Sequence, residues 1–81
     1  MNKQEIYRKV HLLCAELECA TGKAPTSITV SKDVIDELLN DYNLVAIKDG
    51  DSSVQQFMGM NLSIDYQRTN YITVGYDVLF Q

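Results

Sequence analysis

Two runs of alternating residues within positions 57–76 constrain this chain more than anything else in it. In the first, Met60, Leu62, Ile64 and Tyr66 alternate with Asn61, Ser63 and Asp65; in the second, Ile72, Val74 and Tyr76 alternate with Thr73 and Gly75. A period of two gathers the apolar side chains on one face of a β-strand, whereas a helix scatters them around its axis. Residues 67–70, Gln-Arg-Thr-Asn, have the length and composition of a hairpin loop. The two runs are therefore expected to adjoin as a hairpin and to form the sheet on which the rest packs.

The preceding residues supply helices and shorter strands. Ile6, Val10, Leu13 and Leu17 recur along one face of a helix predicted over residues 2–20, with Tyr7 and Cys14 widening the stripe. Asn2 and Glu5 have the spacing of a capping box, Glu5 and Lys9 can pair one turn apart, and Gly22 followed by Pro25 ends the helix. A short strand is predicted at 27–30, with Ile28 and Val30 inward. Ser31 then caps a second helix over 32–42, burying Val34, Ile35, Leu38 and Leu39 and turning Asp33, Asp36, Glu37 and Asp41 to water. Asn43 is placed to end it in the left-handed conformation. The apolar run at 44–47 reads as a buried strand, Asp49-Gly50 as a turn, 54–58 as a less regular strand, and Gly59 as a bend or bulge. This order predicts an α+β fold with two helices packed on one face of a three- to four-stranded, mainly antiparallel sheet.

At 81 residues, 46% of them hydrophobic, the chain has room for one small core. Residues 1–77 are read as a single domain. Residues 78–81, Val-Leu-Phe-Gln, match what a viral 3C-type protease leaves when it removes a purification tag, and are set aside as a tag remnant. The net charge is −4, and the seven basic residues form no stripe able to track phosphates, so nucleic acid is an unfavoured partner. The acidity suits solubility or a basic partner surface. No apolar run is long enough to span a membrane, and the polar opening has no signal peptide; a cytoplasmic location is expected. The two cysteines agree: Cys14 and Cys19 lie about 140° apart around one helix, cannot readily form a disulfide there, and are expected to be reduced and buried.

No group of residues carries an argument for catalysis or for a cofactor. His11 and Cys14 share a helix face, but no second pair completes a metal site. Neither thiol sits at a helix N-terminus that would activate it. Counting twelve from Asp49 reaches Met60, where a calcium loop needs an acid. The expectation is a protein that is not an enzyme and has no metal or cofactor. The candidate interface is Tyr66, Arg68 and Tyr71 around the expected turn, with Asp33, Asp36 and Glu37 on the second helix. Tyrosine is enriched at interfaces because it is apolar along its ring and polar at its tip.

The strand Ile28-Thr29-Val30-Ser31, the helix after it, Phe57-Met58-Gly59-Met60 opening a strand, and the closing Ile72-Thr73-Val74-Gly75-Tyr76 resemble, in order, the peripheral domain of tailed-phage major capsid proteins. In that family a long spine helix precedes the first of these strands, as residues 2–20 do here. The axial domain, extended arm and extended loop of the family are missing. The resemblance therefore implies a small phage or mobile-element accessory protein that binds a protein or a second copy of itself. The alternative it implies is a phage inhibitor or ligand-binding protein that counters a host defence system.

Overall fold

The computed structural model describes residues 1–49 and 52–77. The turn expected at Asp49-Gly50 and the remnant expected at 78–81 fall outside the described residues, Asp49 excepted. Helix α1 (Lys3–Thr21) is followed by β1 (Ser27–Ser31), α2 (Lys32–Glu37), β2 (Leu44–Asp49), β3 (Ser52–Phe57), β4 (Met60–Asp65) and β5 (Ile72–Gly75). The strands form one sheet in the order β2-β3-β4-β1-β5. The α+β class is as expected. The sheet, however, has five strands rather than three or four, and it is mixed: β1 runs parallel to β4 and antiparallel to β5, while β2-β3 and β3-β4 are antiparallel.

The expected hairpin of β4 and β5 does not form. Strand β1 lies between them, pairing Ile28 with Leu62 on one side and with Val74 on the other. The loop signal at 67–70 is real, but its residues cross the end of β1. The hairpin is made one step earlier, by β3 and β4. Phe57 opposes Met60, leaving Met58 and Gly59 as a two-residue turn with φ of 52° and 80°. Positive φ at both turn residues is what a type I′ turn requires, so Gly59 serves a tight turn and not a bulge.

The alternation does select the core. Ile28, Val30, Met60 and Ile72 are buried, and Leu62, Ile64 and Val74 pack against them on the same face. Thr29, Ser63 and Thr73 stand opposite one another in register on the other face. Helix α1 starts on the capping box read from the sequence. The Asn2 carboxamide accepts from the Glu5 N–H at 2.9 Å, and the Glu5 carboxylate turns back to the Asn2 N–H instead of toward Lys9. The helix ends on Gly22, at φ 80°. Only Ile6 and Val10 of α1 are fully buried; Leu13, Cys14 and Leu17 are half-buried. Nineteen residues rise about 28 Å, more than strands of this length can cover.

Helix α2 is six residues long and stops well short of position 42. Three successive turns follow, with Leu38 N–H to Ile35 O, Asp41 N–H to Leu38 O and Leu44 N–H to Asp41 O, each at 3.0 Å. Asn40, not Asn43, takes the left-handed conformation, at φ 72°. The chain leaves helical phase there. Leu39 is consequently 56% exposed instead of buried, and Asp41 is buried instead of wet.

Candidate functional site

The chain brings Asp33 of the second helix to the loop that carries Tyr66, Arg68 and Tyr71. To pass from β4 to β5, residues 66–71 must cross the end of β1, where α2 begins. Ser31, buried at this corner, donates its N–H to the Tyr71 carbonyl at 2.9 Å and accepts the Tyr71 N–H on its hydroxyl at 3.0 Å. Its side chain is therefore spent on the crossing strand and makes no cap hydrogen bond to α2. Asp33, in the first turn of α2, accepts the Asn70 N–H with both carboxylate oxygens, at 3.0 and 3.2 Å. The neighbouring Ser31 hydroxyl, aided by that N–H, holds the Asp33 carboxyl below the usual carboxylate range.

Arg68 fastens the other side of the loop. Its guanidinium lies 4.4 Å from the centre of the Tyr71 ring, and its Nε is 3.3 Å from Asp65. Stacked cations of this exposed kind contribute about 0.5–1 kcal/mol. Tyr71 is half-buried under Arg68, whereas Tyr66 stands out with 73% of its surface exposed. Asp36 is paired with Lys32 one turn back, and Glu37 is exposed. Asp33, Arg68 and Tyr71 thus belong to one held corner. Asp36 and Glu37 lie further along α2 and touch none of the loop groups through a hydrogen bond or ion pair. Ser31, Asp65 and Asn70 hold this corner together; the sequence shows Ser31 only as a helix cap and gives the other two no role, because nothing local shows that β1 will divide β4 from β5.

A second polar cluster was also missed. The Tyr7 hydroxyl donates to Asp41 at 2.5 Å and accepts from the Asn43 side-chain amide at 3.0 Å; the Asn43 N–H reaches Asp41 at 2.9 Å, and Lys3 Nζ lies 3.3 Å from the same carboxylate. The Tyr7 hydroxyl, with the Asn43 N–H and Lys3 helping, keeps the Asp41 carboxyl below its usual range against the opposing effect of burial. Burial and the bond to Asp41 push the Tyr7 hydroxyl up. The Tyr7 ring packs 5.5 Å from that of Phe57. This cluster ties α1 to the segment after α2, and its polar atoms are directed at one another.

A groove at the far end of α1 is lined by Thr21, Lys23, Thr26, Tyr76 and Asp77. Its hydroxyl groups are likewise engaged internally. The Tyr76 hydroxyl donates to the Lys23 carbonyl at 2.6 Å and is joined to Thr21, and Thr26 accepts the Asp77 N–H at 2.9 Å. Cys14 is half-buried, 3.9 Å from the Met60 sulfur, and burial raises its thiol. Cys19 is exposed, contrary to expectation, because it lies about 200° around α1 from the half-buried Leu17. His11 is exposed beside Tyr7. Among the described residues no three metal-binding side chains converge, and no helix is long and apolar enough to cross a membrane.

No family model, curated protein or solved structure matches this chain. None of these comparisons links it to phage capsid proteins.

Proposed function

We propose that this chain is a small non-enzymatic interaction protein whose docking surface is the corner formed by residues 66–71 and the start of α2. The observation that carries this reading is that Arg68 over Tyr71 and Asp33 on Asn70 hold the corner while Tyr66 remains 73% exposed. A large amphipathic ring presented on a tethered loop loses little entropy on binding, which is why such tyrosines recur at interfaces. The exposed Glu37 carboxylate further along α2 favours a partner carrying basic groups.

The setting that fits the resemblance is a phage or mobile element, with the protein acting in the cytoplasm on a host or virion protein or on a second copy of itself. The reading as a ligand-capturing inhibitor is the lesser one, since the polar groups of the groove at Thr21 and Tyr76 bond to one another.

Light scattering across a concentration series tests the self-docking form. A dimer that Tyr66→Ala converts to monomer supports it. If the wild type is monomeric, self-docking is discarded and covalent capture of a partner by a photo-crosslinker at position 66 takes over. A crosslinked partner whose yield is unchanged by Arg68→Ala and Asp33→Ala would sink the assignment to this corner.

A further inference from the structure

The outer edge of β5 offers a second surface, independent of that corner. Among the described residues, strand β5 ends the sheet on this side. The Ser31 N–H bonds the Tyr71 carbonyl, and the register pairs Thr29 with Thr73 and Ser27 with Gly75. Antiparallel strands alternate residues bonded to the neighbour with residues bonded away from it. Tyr71, Thr73 and Gly75 are therefore bonded to β1, and the N–H and C=O groups of Ile72 and Val74 point to the open side.

A shallow groove of about 270 Å³, lined by Leu13, Glu16, Leu17, Ala20, Thr73 and Val74, borders this strand. Thr73 and Val74 belong to opposite faces of the sheet, so a space that touches both, and α1 as well, lies along the open edge. Leu13, Leu17 and Ala20 give it an apolar floor from the part of α1 that overhangs the sheet. The charged residue on its rim is acidic. Glu16 lines it, and the last turn of α1 contains no basic residue to offset the negative end of the helix dipole. Lys23, just beyond, lines the separate groove with Thr26 and Tyr76.

From the open backbone groups, the apolar floor and the acidic rim, we propose that this edge takes up an extended segment of a partner protein as a sixth strand. The segment's helix-facing positions would carry an apolar residue flanked by lysine or arginine. Main-chain bonds to Ile72 and Val74 supply attachment, and alternate side chains supply selectivity, as in other cases of strand addition. The apolar residue sits over Leu17 and Ala20, and its cationic neighbours reach Glu16 and the helix end.

The test uses the full chain and an end-blocked probe peptide, Thr-Lys-Thr-Val-Thr-Lys-Thr, with backbone amide exchange and chemical shifts as readout. At saturation the Ile72 and Val74 amides should exchange at least about tenfold more slowly. Replacing both lysines of the probe by glutamate should weaken binding by about tenfold or more. Glu16→Lys should reverse that preference. Glu18→Lys, the same charge change about 200° around the helix, should leave it within about twofold. Unmoved Ile72 and Val74 amides, equal binding of the two peptides, or equal effects of the two charge reversals would each overturn the proposal. So would amides already protected in the free chain whose protection falls on dilution, since a second copy would then occupy the edge.

Discussion

Asp41 is the one acidic side chain buried among the described residues, and Tyr7, Asn43 and Lys3 let it stay charged there. The sequence placed it on the wet face of a longer helix, because four acids at helical spacing look alike until one of them finds a tyrosine 34 positions away. Asp41→Asn removes the charge and misdirects a donor at Tyr7, so a loss of about 1–2 kcal/mol is expected at neutral pH. The pH dependence has a definite sign. The carboxyl is held below its unfolded value, so its contribution is present above about pH 4 and disappears as pH falls through the folded value. Denaturant melts of wild type and Asp41→Asn should therefore differ at pH 7 and converge toward pH 3. A gap that persists undiminished at pH 3 would mean that the carboxylate's charge contributes nothing.

Elements show where local chemistry was legible and where it was overridden. The capping box at Asn2 and Glu5 and the left-handed Gly22 were readable because a helix end is satisfied by residues within one turn of it. The end of α2 was not. Val34, Ile35 and Leu38 are buried at helical spacing, but the turns through Asn40 bring Asp41 to Tyr7 and start β2 at Leu44. The β3-β4 turn lay between the two outcomes. Gly59 marks a break in the sequence, but Met58 at φ 52° disguises a type I′ turn that normally advertises itself with asparagine or aspartate. Gly59→Val puts a β-branched residue at φ 80° and should cost about 1–2 kcal/mol in chemical denaturation. No loss would show that the turn can relax to another type.

For the whole molecule, β1 is the strand on which assembly depends. It is paired on both sides and carries the buried Ile28 and Val30, while β2 and β5 are the edges among the described residues. Amide exchange should be slowest in β1 and in the facing bonds of β4, and fast at Ile72 and Val74. Slow exchange confined to the β2-β3 hairpin would contradict this order. Ile64 faces Val30 across the parallel pair and packs on the core. Ile64→Asp places an unpaired charge there, at a cost of about 3 kcal/mol or more, which is much of what a domain this small possesses. An unchanged thermal transition in that variant would mean the face assignment of β4 is wrong.

What the sequence determined by itself is whatever depends on near neighbours: the strands of alternating residues, the faces they bury, the ends of α1, and the α+β class. It also offered Tyr66, Arg68, Tyr71, Asp33, Asp36 and Glu37 as a candidate interface, because polar and aromatic residues beside a loop or on a helix face can be recognised one at a time. Only the tertiary structure decided that β1 enters between β4 and β5, that Asp41 goes inside, and that Asp33 and Tyr71 meet at one corner. The physical reason is that strand pairing is chosen by long-range competition among similar apolar faces. Two runs separated by a good loop can pair with each other, or each can pair with a third strand if that buries more. Local pattern is the same in both cases; the burial of Ile28 and Val30 of β1 between β4 and β5 settles it.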